Sequence, residues 1–528
     1  MKLKLNKSFF WWLYPIYLNF LFEFLFSDFR PERWFNFLEN HVFLLIIFIF
    51  FQLHNSLRNG ILIRIFYVGF VISCAVETLY FYWFGTNFSA SAIFVMLETN
   101  MAEAKEFLHF YFNPTSLVLM LLNLIGILLF QFKKIIKPPV ILALANQWLV
   151  YTSFIALLAF FKFTHLIDQN FPYALMRGVI VYNYEQLQLK DLPLDKKESF
   201  LSNVKHHGED QATYILVIGE SASRNHLGIY GYHRETTPFL SSIKNELTVY
   251  NDVISNSAYT IGSLRNALTY NHFKEEEEEA SLVQLMNQAG FTSFWISNQR
   301  PVGPYESLVT KMSKASDYVH FTNTAIAGGV TPYDEILLPH LEKALQDKAP
   351  KKFIVLHLLG SHHAYKNRYP EEFQLFEDLP EVFLGTNQAD KQRRNEYDNS
   401  IAYTDYLLQQ IFELLQKQEG EKSMLYFSDH GEEVYQTRDF AGHYEENPSP
   451  PMYEVPFLFW TSEGYFKGNN YIIDTERKFM LNYFFDTYAD FSKVKFDEFR
   501  KEKSLFSKKF ESKERQLNAG NYFEDLNR

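Results

Sequence analysis

The sequence predicts a helical membrane domain of about five spans, followed by an α/β domain with a mainly parallel or mixed central sheet between helices. Three observations carry this. Five apolar runs, each near the ~20 residues that cross a bilayer, crowd the first third of the 528 residues. From Thr213 onward, short β-rich apolar runs alternate with helical patterns, as in a sheet covered on both faces. Two of those runs end on metal-ligand residue types, Tyr214-Ile-Leu-Val-Ile-Gly-Glu220 and Met424-Leu-Tyr-Phe-Ser-Asp429-His430.

Composition narrows the function classes. Hydrophobic residues make up 47% of the chain and aromatic residues 18%, concentrated where the apolar runs lie. That load points to membrane spans rather than one very large core. Net charge is -11 with no basic stripe, which argues against a nucleic-acid partner. The single cysteine, Cys74, falls inside an apolar run, so no intramolecular disulfide forms.

Taken in order, Lys2, Lys4 and Lys7 precede an apolar aromatic stretch that resembles a signal sequence without a cleavage site. It reads as a retained anchor. Spans are expected at 9–26, 35–53, 61–84, 115–132 and 140–163. The N-terminal lysines, Arg58, and then Lys133, Lys134 and Lys137 fall at alternate ends, as a cytoplasmic N-terminus requires, with Arg30 and Arg33 opposing. Five crossings put everything after Lys162 on the far side. The loop from Met96 to Leu108 has helical apolar spacing, which suits an interfacial amphipathic helix or a headgroup site. Three regions follow: a transmembrane domain at 1–163, a bridging linker with an interfacial helix at 164–210, and a second domain at 211–528. Within the linker, His206 and His207 are expected to be solvated.

In the second domain strands are expected at 214–218, 292–296, 353–358, 424–427 and 457–460, with helices at 281–289 and 401–415. Five glutamates at 275–279 read as a solvated face ahead of a helix. Tyr397-Asp398-Asn399-Ser400 stands at the head of the later helix, where a helix-cap reading is at least as good as a functional one.

Ligands in α/β sheets gather beyond the carboxyl ends of strands. Glu220 and Asp429-His430 therefore suggest a zinc-type site assembled from distant segments. Between them lies Ser257-Ala-Tyr-Thr260-Ile-Gly262-Ser-Leu264. A hydroxyl becomes nucleophilic when a base or metal lowers its pKa, and a helix start offers N–H groups to a phosphate. Taken alone, Thr260 is equally a structural hydroxyl.

Glu220 in Val-Ile-Gly-Glu-Ser, Arg224-Asn225, the Thr260 segment and Ser428-Asp429-His430-Gly431-Glu432 occur in that order. Together they resemble the phosphoethanolamine transferases of Gram-negative bacteria, in the alkaline phosphatase and sulfatase superfamily, over nearly the whole chain. The resemblance implies a sulfatase-like catalytic domain in the periplasm on a multi-pass inner-membrane anchor. It implies zinc held by Glu220, Thr260, Asp429 and His430, with Thr260 as nucleophile. Leu356-His357-Leu-Leu-Gly360-Ser361-His362 and Gly442-His443 match histidine positions of the family. They imply that His362 and His443 hold the transferred phosphate or a second zinc, with His357 nearby. Glu98, Thr99 and Glu103 match positions that meet the donor headgroup, and Asn298 and Gln299 match a pocket-lining strand end. The donor so implied is phosphatidylethanolamine, and the acceptor a lipopolysaccharide sugar (core heptose, Kdo or lipid A). Two departures bear on the acceptor: the disulfides of the colistin-resistance branch are absent, and Val95 stands where some relatives carry a polar donor-binding residue. The Tyr-Thr-Ile-Gly-Ser-Leu context leans toward core heptose. Alternatives with the same site are a phosphoglycerol transferase or a phosphodiesterase. A non-catalytic membrane scaffold is a different class, and filled ligand positions oppose it.

Overall fold

The structure is a computed structural model that describes residues 7–26, 32–54, 61–84, 88, 92–93, 96–97, 99, 101–132, 147–270, 279–300, 308–323, 331–378, 387–445, 447–467, 471–512 and 515–517. It contains two compact units, 1–99 with 107–186, and 100–106 with 187–528.

The first unit is helical. Its helices include Lys7–Phe26, Glu32–Leu53, Ile61–Phe84, Pro114–Phe132, Gln147–Phe163 and Phe171–Asp191. An apolar bundle is held by side chains such as Trp12, whose ring meets Phe48 at 5.3 Å and Tyr67 at 4.8 Å, edge to face. Among the described residues, Trp34–Leu53 and Ile61–Phe84 are long and apolar enough to cross a membrane. A third span results if Ala104–Tyr111 and Pro114–Ile125, bent by 95°, count as one. Of the five expected spans, then, two are clear and up to three are supported. The bend has a local cause. Pro114 cannot continue a helical hydrogen-bond ladder, and Asn113 accepts from Ser116 N at 3.0 Å to start a new helix.

The second unit is α/β. Strands β1 (Ala212–Gly219), β2 (Leu247–Val249), β3 (Thr292–Ser297), β4 (Tyr318–Phe321), β5 (Lys351–His357), β6 (Glu421–Ser428) and β7 (Phe457–Thr461) form one seven-stranded sheet. Their order is β2-β7-β6-β1-β5-β3-β4, with β1, β3, β4, β5 and β6 parallel and β7 antiparallel to both its neighbours. All eight residues of β1 are buried, as a central parallel strand between two helical layers requires. Tyr214, Leu216 and Ile218 pack into a core with Leu264, Leu285, Phe484 and Tyr488.

Two readings are corrected. His206 is not solvated: it pairs with Val494, approaches the Tyr214 hydroxyl at 3.2 Å and packs against Phe291. Burial, helped by Lys351, pushes its pKa down to about 4. Glu279 is not part of a solvated face either. It is buried and accepts from Arg265 Nε at 3.2 Å, while 275–278 lie outside the described residues.

Candidate metal centre and active site

Strand register builds the site. Gly219 lies opposite Ser428, and Ile218 opposite His357, so the next residues of β1 and β6 leave the sheet side by side at its carboxyl edge. Those residues are Glu220 and Asp429. The chain then turns sharply: Ser221 has φ 56°, in the left-handed region that costs a non-glycine residue ~1–3 kcal/mol. The turn aims the Ser221 N–H at Asp429 Oδ1, 3.2 Å away. Gly360, with φ 54°, backs it; a Cβ there would stand 2.8 Å from both the N and the O of Glu220.

Glu220, Asp429 and His430 are buried, and their ligand atoms lie within 4.8 Å of one another. His430 Nε2 is 3.2 Å from Glu220 Oε1 and 3.6 Å from Asp429 Oδ2. Thr260, the first residue of the helix Thr260–Leu268, donates its hydroxyl toward Glu220 at 3.1 and 3.3 Å. Ser263, one turn on, donates to the Asp429 carbonyl and seats that helix. His430 donates Nδ1–H to the Gly431 carbonyl at 2.9 Å, which leaves Nε2 facing the carboxylates. Asp429 Oδ2 and His430 Nε2 are buried without a hydrogen bond of ordinary geometry. Tetrahedral zinc with bonds of ~2.0–2.1 Å spaces its ligands about 3.3 Å apart. The distances above bracket that value, so this donor set fits the ion.

A second group adjoins the first. His430, Glu432 and His443 also bring ligand atoms within 4.8 Å of one another. His443 donates Nδ1–H to Glu432 Oε2 at 2.6 Å, and Tyr365 donates its hydroxyl to Glu432 Oε1 at 2.6 Å. The tautomer so set leaves His443 Nε2 unencumbered.

The electrostatics show what the first group requires. Burial raises Asp429 to about 8, reinforced by the charge on Glu220. Burial opposes protonation of His430, but Asp429 and Glu220 outweigh it and lift the imidazole to about 10. Burial also acts to raise Glu220, yet His430 outweighs it and holds that carboxyl well below the usual range. The buried acids thus retain positive charge in the form of protons, which a metal ion can supply in their place. Burial lowers His357 to about 4 and His362 to about 3, which leaves both neutral at neutral pH and available as ligands or proton acceptors.

The remaining expected residues separate. His362 and His357 lie near enough to Glu220 that a proton on either ring would lower that carboxyl further. Gln299 touches Glu220 itself, donating at 3.1 Å to Oε2 and at 3.0 Å to the Leu358 carbonyl. Asn298 is a correction. Its amide is committed to Asp334 at 2.8 Å and Pro332 O at 2.9 Å, and its oxygen to Thr322 at 2.7 Å, so it braces a loop rather than offering a free group. Glu98 lies outside the described residues. Thr99 is half-buried, and Glu103 falls in the helix Met101–Tyr111.

Other residues were not anticipated. Asp334 accepts from the N–H groups of Leu359 and Gly360 at 2.9 and 2.8 Å and so fixes the loop that carries His362. Arg368 donates to the carbonyls of His362 and His363 at 3.2 and 3.1 Å. Tyr397 is no helix cap, because it lies within the helix Gln388–Gln416, where its hydroxyl bonds the turn after Glu220. A local signal existed only for Glu432, in the Asp-His-Gly-Glu run.

Comparison with known proteins follows the same outline. The sequence model of the sulfatase family matches residues 212–490. Phosphoethanolamine transferase EptC of Escherichia coli K12 is 32% identical over 466 residues, covering 82% of this chain and 80% of that protein. Phosphoethanolamine transferase CptA of Salmonella typhimurium is 33% identical with the same coverage. The crystal structure of the C-terminal periplasmic domain of the E. coli EptC in complex with zinc superposes with a TM-score of 0.58 at 34% identity, covering 61% of this chain and 94% of that one. The integral membrane lipooligosaccharide phosphoethanolamine transferase A of Neisseria meningitidis shares the fold, with a TM-score of 0.68 at 18% identity and coverage of 94% and 97%.

Proposed function

Because this chain belongs to the sulfatase family, and within it to the phosphoethanolamine transferases, we propose that it moves phosphoethanolamine from phosphatidylethanolamine to a lipopolysaccharide sugar through an ester on Thr260. One observation carries this reading: a hydroxyl at a helix N-terminus stands 3.1 Å from Glu220, itself grouped with Asp429 and His430.

Glu220, Thr260, Asp429 and His430 would hold zinc, the ion present in the related E. coli domain. When bound, zinc favours the alkoxide form of Thr260 and offsets charge on the phosphoryl oxygens. The chain's own residues do the rest. Thr260 Oγ forms a bond to the donor phosphorus while the bond to the diacylglycerol oxygen breaks, and the Thr260 proton is delivered to that leaving oxygen. The acceptor hydroxyl then attacks the same phosphorus, and Thr260 Oγ leaves and recovers a proton. His443, its ring set by Glu432, shuttles the proton from Nε2, with neutral His362 beside the phosphate. The unpaired amides of the helix that Thr260 opens receive phosphoryl oxygens. His357 and Gln299 complete the pocket, and Glu98, Thr99 and Glu103 receive the donor ammonium.

A lipid donor suits a chain with apolar spans. We assign regions 1–163, 164–210 and 211–528 to anchor, linker and catalytic domain, the last in the periplasm of a multi-pass inner-membrane protein. The solved E. coli relative, described as a periplasmic domain, supports that side. Incubation with ethanolamine-labelled phosphatidylethanolamine and lipopolysaccharide tests the proposal. Label should pass to the lipopolysaccharide with release of diacylglycerol. Label appearing only as free phosphoethanolamine would make the enzyme a phosphodiesterase.

A further inference from the structure

The loop that carries His362 is held by a residue far away in sequence. Ala364, in that loop, has φ 63°, a left-handed conformation that a non-glycine residue keeps only when its surroundings enforce it. Arg368 supplies part of that hold. It is 4% exposed, and it donates Nε to the His362 carbonyl at 3.2 Å and Nη2 to the His363 carbonyl at 3.1 Å. A buried guanidinium needs a counter-charge. Among the described residues its ion pair is with Glu106, 262 positions earlier, whose carboxylate accepts from Arg368 Nη2. Glu106 lies in the helix Met101–Tyr111, and residues 100–106 belong to the same compact unit as the sheet.

Both Glu106 oxygens are committed to this loop. Oε2 takes Arg368, and Oε1 accepts from Asn367 Nδ2 at 3.2 Å. Glu106 therefore differs from Glu103, one turn earlier in the helix, to which the donor ammonium is assigned above. Removing the Glu106 charge would leave Arg368 buried and unpaired. The guanidinium could then regain solvation only by releasing the carbonyls of His362 and His363. The same loop also reaches the second histidine group, because Tyr365 donates to Glu432, which orients His443. One ion pair thus stands behind the placement of His362 and, through Tyr365, of His443.

We propose that Glu106 is a positioning residue for the transfer reaction: by neutralising Arg368 it keeps the loop 362–368, and with it His362, in place. This role rests on the phosphoethanolamine-transfer reading. The test uses the full zinc-loaded chain in detergent. In Glu106→Gln, amide hydrogen exchange across 359–368 should quicken about tenfold or more, while that of β1 stays as in wild type. Transfer of labelled phosphoethanolamine should lose about 10- to 100-fold in kcat, with KM for phosphatidylethanolamine nearly unchanged. Glu106→Asp should recover part of that loss. Arg368→Lys should lose a similar amount, and adding Glu106→Gln to it should cost little more, because the two residues act as one unit. Unchanged exchange in Glu106→Gln would overturn the proposal. A raised KM at wild-type kcat would overturn it too, by making Glu106 a donor-binding group. An active wild type matched in kcat by Glu106→Gln would overturn this role alone, whereas a wild type that transfers nothing would overturn the transfer reading and this role with it.

Discussion

Tyr397 donates its hydroxyl to the carbonyl of Ser221 at 2.7 Å, across 176 residues of sequence, and the same oxygen accepts from Ser223 N at 2.9 Å. One phenol thus clasps both ends of the strained turn that aims Glu220. Tyr397→Phe keeps the ring against His226 and Tyr365 but leaves two buried backbone groups unpaired. The expected cost is about 1–3 kcal/mol, with metal affinity weakened about tenfold through loss of support. Thermal unfolding and chelator competition measure the two effects.

Gly360 is a tight steric constraint at the site. Its φ of 54° disfavours any side chain, and a Cβ would press on the Glu220 backbone. Gly360→Ala should destabilise the catalytic unit by about 2 kcal/mol or more and lower bound zinc per chain, read by metal analysis of the purified variant.

Glu432 sets the orientation of His443 and shares only His430 with the group formed by Glu220, Asp429 and His430. Glu432→Gln should leave zinc content near that of wild type and cut turnover about 10- to 100-fold. The fall should appear in kcat more than in KM for the lipid donor. An equal loss of zinc and activity would instead make Glu432 a ligand of the tight metal.

The site was legible to different depths. Strands β1, β5 and β6 are buried on both faces, so they read as continuous apolar runs, and their terminal Glu220 and Asp429-His430 stood out. Strands β2 and β4 escaped notice because they are short and lie at the sheet's edges, where half-exposed residues such as Tyr318 and Val319 show no apolar run. Tyr397 and Asp398 were misread as a cap because the polar stretch before them looked like a loop. The actual cap is Asn387, which accepts from Asp390 N at 3.0 Å. Asp334 and Arg368 act only through contacts made by folding, which no local pattern announces. Thr260 stood out by resemblance alone, since a hydroxyl at a helix start has many bland uses.

His357 is 2% exposed, and burial lowers its pKa from the ordinary 6.5 to about 4. Folding therefore favours the neutral ring. The resulting stability is complete above pH 6.5 and is lost as pH falls toward 4, where the unfolded chain binds the proton first. Denaturant unfolding between pH 7 and 4.5 should show a steeper loss in wild type than in His357→Gln.

Intact mass after incubation with phosphatidylethanolamine tests the covalent intermediate on Thr260. The wild-type chain should gain one phosphoethanolamine in a zinc-dependent manner, and Thr260→Ala should gain none. An adduct that persists in Thr260→Ala, or donor consumed by zinc-loaded wild type with no adduct at any time point, would contradict it.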